Sequence, residues 1–185
     1  MKNIKIILLL TIGVALFSCS GNKDASNKNG EAETSYSKGQ SLVNDDVSKR
    51  NILQVAIGSQ NHTTLVAAVQ AAELEDVLAN AGPLTVFAPT NAAFDKLPEG
   101  VVADLLKPEN KATLANIITY HAAPGTYKGD MITKITGIGQ ATGDKVEIEI
   151  KNGETYVNGA KILATIQASN GIVHVIDGVL LPPEK

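Results

Sequence analysis

The sequence of 185 residues contains no tryptophan, a single cysteine and a single arginine, and its aromatic rings are those of four tyrosines and three phenylalanines and its three histidines. So few large rings leave little material for a stacking platform that binds sugars. Arg50 alone cannot build the paired guanidinium clamps that hold phosphate or carboxylate groups. The net charge is −3, whereas a protein that binds nucleic acid needs a basic face. These absences disfavour three classes of binding protein.

The first residues have the pattern of an export signal. Lys2 and Lys5 precede a predominantly apolar run, Ile6–Phe17. The run is shorter than the about 20 residues that a helix needs to cross a bilayer. A short basic segment followed by such a run is typical of a secretory signal. The sequence therefore predicts that residues 1–18 are a signal peptide.

The run ends in Leu16-Phe17-Ser18-Cys19, which resembles the lipobox of bacterial lipoproteins. The resemblance implies that the Cys19 sulfur receives a diacylglyceryl group and that cleavage leaves Cys19 as the first mature residue. With no second cysteine, the exported chain has no intramolecular disulfide. Ser20 stands where an aspartate retains enterobacterial lipoproteins in the inner membrane, and it favours the outer membrane. An ordinary signal with a stray cysteine is the alternative, and the final location, cell surface or periplasmic face, is left open.

Residues 19–45 join this cysteine to the rest of the chain, and Ser, Asn, Gly, Lys and Glu dominate them. Such a stretch buries too little apolar surface to offset the entropy lost on ordering, so we expect a disordered tether. A flexible chain of this length spans roughly 25–30 Å, which holds a domain near the membrane. Residues 46–183 are predicted to form the one folded domain.

The first half of the predicted domain has the spacing of helices. Apolar residues recur there on one face of three segments. These are Leu65, Val69 and Ala72; Leu74, Val77, Leu78 and Ala81; and Leu114, Ile117 and Ile118. Between them, the compact apolar stretch Leu84–Ala88 indicates a buried strand.

The second half is predicted to consist of strands. Lys145–Lys151 alternates strictly between charged and apolar residues, and the Asn152-Gly153 pair that follows is typical of a tight hairpin turn. Ile172–Ile176 is nearly all apolar, as expected for a central strand. Helices followed by antiparallel strands favour a single α+β domain.

No catalytic or metal-binding pattern emerges from the residues that carry such chemistry. The histidines, His62, His121 and His174, have no i,i+4 pairing and no cluster with cysteine. His174, in the middle of a predicted strand, is interpreted as a hydrogen-bonded core histidine. Gly137–Gly143 is interpreted as a glycine-rich loop between strands and not as a phosphate site. We therefore expect no catalytic residue, metal ligand or cofactor site.

Three motifs resemble the signatures of fasciclin domains, and they occur in the same order. They are Thr85–Phe94, Tyr120–Gly125 and Asn170–Pro182. The resemblance implies a compact α+β domain in which several helices flank a wedge of mostly antiparallel strands. It also implies an extracellular adhesion or interaction module with no general catalytic activity and no cofactor.

Tyr120 and His121 are the candidate partner-binding residues. In some animal fasciclin proteins the tyrosine-histidine region is implicated in integrin binding, and the resemblance transfers the position without that partner. The alternative is that the two side chains point to opposite sides of a strand and hold the fold. The first motif also has two interpretations, a structural corner with a helix cap at Thr90 or Asn91, or a ligand-contacting loop.

The resulting hypothesis is a bacterial lipoprotein that is not an enzyme. It is a lipid-anchored extracytoplasmic module that binds a protein or polysaccharide at the cell surface or in the matrix. It contacts the membrane through the lipid anchor only and binds no nucleic acid, while homo-oligomer formation is left open. The alternative from another class is a periplasmic small-ligand-binding or sensing lipoprotein, which requires a concave, mostly apolar pocket.

Overall fold

The computed structural model describes residues 49–80 and 82–183. The predicted signal peptide, the predicted lipidation site Cys19, the whole of the predicted tether and Ala81 lie outside the described residues, so the predictions made for them stay predictions. Among the residues that are described, no helix is both long enough and apolar enough to cross a membrane.

Helices dominate the first half of the described chain, as the spacing of apolar residues predicted. They are α1 (Ile52–Ile57), α2 (Thr63–Ala71), α3 (Glu75–Asn80), α4 (Asn91–Phe94), α5 (Val101–Leu105), α6 (Lys111–Tyr120) and α7 (Asp130–Thr133). Short 3₁₀ turns at Gln60–His62 and Pro108–Asn110 lead into α2 and α6.

The strands follow mainly in the second half, and two of them, β1 and β2, lie between helices. They are β1 (Leu84–Pro89), β2 (Ala122–Pro124), β3 (Gly137–Gly139), β4 (Lys145–Lys151), β5 (Glu154–Val157), β6 (Ala160–Ala168) and β7 (Gly171–Ile176). Two of the three Asn-Gly pairs in this half have positive φ at both residues: 54° and 80° at Asn152-Gly153, and 46° and 82° at Asn158-Gly159. Asn and Gly are the two residue types that tolerate this conformation best. The hairpin predicted after β4 is confirmed, because β4 and β5 pair in antiparallel fashion on either side of Asn152-Gly153.

The strands form one mixed sheet in the order β2-β1-β7-β6-β5-β4-β3. Every neighbouring pair is antiparallel except β1 and β7, which run parallel. The Ala141 amide donates to the Ala122 carbonyl at 2.8 Å, so the two ends of the sheet approach each other and the sheet is nearly a barrel. The architecture agrees with the predicted α+β domain and its mostly antiparallel sheet.

Two apolar cores lie on the two sides of this sheet. The first, between the helices and the sheet, includes Leu53, Val69, Leu78, Val86, Ile118 and Val173. The second fills the barrel and includes Phe87, Tyr120, Ile138, Val146, Val157 and Ile176. β1 and β7 separate the two cores, which explains why both strands are buried on both faces.

Two details of the predicted patterns are wrong. Val77 was expected on the buried face of its helix, but about half of it is exposed, and Leu78 is the buried residue of α3. Ile150 was expected to point inward from β4, but it is 52% exposed. It faces Thr155 at the end of the β4–β5 hairpin, beyond the point where β5 pairs with β6. The barrel is open at this end.

Candidate functional site

Tyr120, the first of the two candidate partner-binding residues, is the last residue of α6 and is only 1% exposed. Its hydroxyl donates to the Lys145 carbonyl at 3.2 Å and accepts from the Asn158 side-chain amide at 3.0 Å. Lys145 begins β4, and Asn158 lies in the turn between β5 and β6. The side chain therefore joins the end of α6 to two parts of the barrel.

His121 caps the same helix and is 4% exposed. Its Nδ1 donates to the Ile117 carbonyl at 2.8 Å, and its Nε2 accepts from the Leu180 amide at 2.9 Å. This pair of bonds requires the neutral imidazole with its proton on Nδ1, because a carbonyl only accepts and an amide only donates. Burial lowers the pKa of His121 to about 4, so the ring is neutral near pH 7.

Neither side chain is placed at the surface, so this geometry offers a partner no direct contact with Tyr120 or His121. The alternative interpretation, that the two residues hold the fold, agrees with their contacts. Their predicted location on a strand is wrong, since the two residues end helix α6. Their side chains do contact different parts of the molecule, Tyr120 the barrel and His121 the segment at Leu180. A role of Tyr120 and His121 in partner binding stays a prediction.

The first motif forms the corner between β1 and α4. Thr90 is the N-cap of α4, and its hydroxyl accepts from the Ala93 amide at 3.3 Å. Asn91 instead reaches the start of α2, where its Oδ1 accepts from the Thr64 amide at 3.1 Å. Its Nδ2 donates to the Gln60 carbonyl at 3.0 Å. These bonds satisfy helix ends and support the interpretation of a structural corner.

The third motif joins three elements at the β6–β7 turn. Asn170 accepts from the Ile52 amide at 2.9 Å, where α1 begins, and donates to the Leu78 carbonyl at 2.8 Å, near the end of α3. Gly171 lies against β1, and a Cβ placed on it would come within 1.9 Å of the Leu84 carbonyl oxygen. Glycine is required here because no side chain fits between the two strands.

His174 is a core histidine with both ring nitrogens bonded, as predicted. It is 1% exposed, and its ring stacks on that of Phe87 with centroids 5.7 Å apart. Nε2 donates to the Tyr127 carbonyl at 2.7 Å, which leaves Nδ1 to accept from the Thr165 hydroxyl at 2.9 Å. Burial lowers the pKa of His174 and favours the neutral ring.

A groove of about 520 Å³ lies at the open end of the barrel, between the β4–β5 hairpin, β6 and α7. We call it the hairpin groove, and its lining includes Thr133, Thr155, Lys161, Leu163, Thr165 and His174. Lys161 and Glu154 form an ion pair on its wall, and the hydrogen bond from Lys161 lowers the pKa of the Glu154 carboxyl. Two other cavities, lined almost wholly by apolar residues, have volumes of only about 20 and 30 Å³.

The described residues contain no group of three or more His, Cys, Asp or Glu side chains that could hold a metal ion. His121 and His174 use both ring nitrogens within the fold. His62 uses Nδ1 in a bond with Ser59, and burial lowers its pKa.

A family model of the fasciclin domain matches residues 60–182. The chain belongs to the fasciclin domain family. It is 45% identical over 137 residues to protein sll1483 of Synechocystis sp., which covers 74% of this chain and 76% of that protein. It is 40% identical over 133 residues to the transforming growth factor-beta-induced protein ig-h3 of Sus scrofa, a match that covers 71% of this chain and 19% of that protein.

A solved structure shows the same fasciclin fold. It is a domain pair from the insect cell adhesion molecule fasciclin I, which superimposes with a TM-score of 0.64 at 18% identity. The match covers 72% of this chain and 51% of that chain, so the present chain spans about half of the domain pair. The described part of the chain has α1 before the matched family region begins at residue 60.

The sequence patterns assigned no role to Ala160–Ala168, and the hairpin groove was therefore missed. The groove forms because β5 pairs with β6 only at Lys161 and Ala160, after which the two strands separate. One signal was present in the sequence: Leu163–Gln167 is a stretch with no charge between two Asn-Gly turns. Such a stretch is unusual for a surface strand, which is typically interrupted by charged residues.

Proposed function

We propose that this fasciclin domain is a non-catalytic, membrane-anchored extracytoplasmic module that binds a partner at the cell surface or in the matrix. The family supports an adhesion-related role, since its eukaryotic members are often adhesion-related. The proposal depends most on the observation that the motif side chains of Tyr120, His121 and His174 are buried and hydrogen-bonded within the fold. We therefore place the binding function on groups at the surface.

The attachment to a membrane is proposed from the sequence. A basic start, a short apolar run and the lipobox-like Leu16–Cys19 support export and acylation of Cys19. Ser20 supports the outer membrane as the final location. The tether then presents the domain roughly 25–30 Å from its anchor. Many such domains on one cell bind with high avidity even when each single contact is weak. The reason is that one bound domain raises the effective concentration of the neighbouring domains at the partner surface.

The alternative, a periplasmic small-ligand-binding protein, requires a concave and mostly apolar pocket. The hairpin groove is large enough, but an ion pair and threonine side chains line part of it. The two apolar cavities are each about the size of one water molecule, which occupies about 30 Å³ in the liquid. These dimensions favour binding of a macromolecule at the surface.

Protease treatment of intact cells tests the location. The readout is an antibody against residues 49–183, and a periplasmic protein that stays intact is the control. We expect the protease to remove the domain, because it faces outward. Protection of the domain until the outer membrane is opened would contradict adhesion to other cells or to the matrix, and would favour the periplasmic alternative.

The lipid anchor has a separate test. The substitution Cys19→Ala removes the proposed acylation site, and Ser18→Ala is the matched control beside it. We expect Cys19→Ala to prevent incorporation of radioactive fatty acid, whereas Ser18→Ala retains it. Equal labelling of both variants would show that Cys19 is not the site of acylation.

A further inference from the structure

One edge of β6 is open over much of its length, as far as the described residues show. β5 pairs with β6 only at Lys161 and Ala160, whereas β7 pairs with it as far as Ala168. At the far end, the Ser169 amide donates to the Arg50 carbonyl at 2.9 Å. Main-chain groups alternate in direction along a strand, so those of Thr165 and Gln167 point the same way as the Ser169 amide, away from β7.

We call residues 163–167 the β6 edge. All five are exposed, and Leu163 is 52% exposed. Natural sheets protect their free edges with charges or prolines, because unpaired main-chain groups recruit other strands. The β6 edge, Leu-Ala-Thr-Ile-Gln, contains neither. By contrast, Glu149 and Lys151 protect the part of β4 that extends beyond its pairing with β3. The β6 edge is therefore suited to pairing with another strand.

The hairpin groove lies directly beside this edge, since Leu163 and Thr165 belong to both. A polypeptide strand laid along the edge turns every second side chain toward the same face. The volume of about 520 Å³ lies within the range of about 300–1,000 Å³ that is typical of binding pockets. Lys161 and Glu154 provide both signs of charge on the wall, and Thr155 provides a hydroxyl. The groove can thus receive alternate side chains of an added strand.

We propose that the β6 edge binds an extended segment of a partner protein as an added strand, with alternate side chains of that segment in the hairpin groove. In this mode of recognition the main-chain hydrogen bonds supply affinity and the side-chain pocket supplies specificity. Just beyond the end of β6, the bond from the Ser169 amide to the Arg50 carbonyl shows that a main-chain group on this side of the strand already bonds to main chain. The inference rests on the proposed function, and it selects a protein partner over a polysaccharide, which has no row of peptide groups at strand spacing.

Amide hydrogen exchange on the full chain, purified in detergent, tests whether the edge is free. We expect the Thr165 and Gln167 amides to exchange fast at low and at high protein concentration. Slow exchange at low concentration would show that another segment of this chain, such as residues 35–48, occupies the edge. Slow exchange only at high concentration, together with dimer formation in sedimentation, would show that a second copy does. Either result overturns the proposal.

A phage-displayed library of random twelve-residue peptides supplies the probe for binding. We expect selection on the full chain to enrich peptides that slow exchange at Thr165 and Gln167 at least tenfold. In synthetic versions of an enriched peptide, methylation of single amide nitrogens is expected to weaken binding at least tenfold at alternate residues and little at the residues between them. No enrichment, or a methylation pattern without this alternation, overturns the proposal.

Substitutions at Gln167 separate main-chain pairing from side-chain contact. Gln167→Pro removes the N–H that faces the open side, a position where a sheet edge tolerates proline. Gln167→Ala is the matched control, because it removes the side chain and keeps the N–H. We expect the first to weaken peptide binding at least tenfold and the second less than twofold. Equal binding by wild type and a folded Gln167→Pro overturns the proposal.

Leu163→Lys gives a second variant that does not depend on proline, and it decides the outcome where Gln167→Pro does not fold. A lysine on an edge strand opposes the approach of another strand, so we expect peptide binding to fall at least fivefold. Unchanged binding overturns the proposal. If the peptide experiments on the purified chain fail, but protease does remove the domain from intact cells, the edge site alone is overturned. Peptide binding by a domain that is protected in intact cells would instead overturn the outward-facing function alone.

Discussion

The motif residues and the β6 edge use their polar groups in opposite ways. Each side-chain polar atom of Tyr120, His121 and His174 has a partner inside the fold. At the β6 edge, the main-chain groups of Thr165 and Gln167 face the open side of the sheet. The difference teaches that, in this chain, these three motif side chains hold the fold together. A binding surface is to be sought where the motifs do not reach.

The largest effect expected on the motif side of this comparison comes from Gly171→Ala. A Cβ there meets the Leu84 carbonyl oxygen at 1.9 Å, so β1 and β7 must move apart. We expect the free energy of unfolding in urea to fall by at least about 3 kcal/mol. Gly139→Ala is the control, since a Cβ on Gly139 meets no atom within 4 Å. Similar stability of the two variants would contradict the close approach of the strands.

A pH dependence of similar size is expected from His121. Its folded-state pKa of about 4 lies below the ordinary value of 6.5, so the unfolded chain binds more protons between these values. The stability that it contributes is full above about pH 6.5 and is lost as pH falls toward 4, a loss of about 3 kcal/mol. The lowered pKa values of His62 and His174 act in the same direction.

Urea unfolding at pH 7, 5.5 and 4 measures this loss. His121→Gln removes the titrating ring, and we expect its stability to depend less steeply on pH than that of the wild type. The same steepness in both proteins would show that His121 is not the source of the pH dependence.

Tyr120→Phe is expected to have a smaller effect. It removes the hydroxyl that bonds to the Lys145 carbonyl and to the Asn158 side chain, so we expect a loss of about 1–2 kcal/mol in urea unfolding. Tyr156→Phe is the matched control, because the Tyr156 hydroxyl bonds to Glu154 at the surface. Its effect should be much smaller. A larger loss of stability in Tyr156→Phe than in Tyr120→Phe would contradict the structural role of the buried Tyr120 hydroxyl.

The smallest effect on stability is expected at the β6 edge. Leu163→Lys places a charge on a side chain that is already half exposed, so the free energy of unfolding should change by no more than about 0.5 kcal/mol. Ile172→Lys, in the buried part of β7, is the contrasting variant and should be strongly destabilised. A strong loss of stability in Leu163→Lys would show that Leu163 is part of the core, and would contradict the contrast between the buried motif residues and an exposed β6 edge.

Local patterns predicted much of the fold. The alternation in Lys145–Lys151 and the Asn152-Gly153 turn are properties of neighbouring residues, so the sequence reveals them directly. The parallel pairing of β1 and β7 could not be predicted in this way, since it joins Leu84 to Gly171 across most of the domain. Periodicity shows which face of an element is apolar and does not show which element covers it.

The candidate site was predicted less completely, for the same reason. The buried role of His174 follows from its position in an apolar strand. The cap that Asn91 supplies to α2 and the bond from Ile52 to Asn170 span 27 and 118 residues, and no local pattern signals them. The β6 edge depends on the point where β5 stops pairing with β6, which is a property of the assembled sheet.

The central claim, that motif residues hold the fold and the β6 edge binds the partner, is tested most directly by two variants measured together. Urea unfolding and affinity for a selected peptide are compared for Tyr120→Phe and Gln167→Pro. We predict that Tyr120→Phe lowers stability and keeps the affinity within twofold, whereas Gln167→Pro stays folded and loses affinity at least tenfold. Lost affinity in Tyr120→Phe at unchanged stability would contradict the claim and make Tyr120 a binding residue.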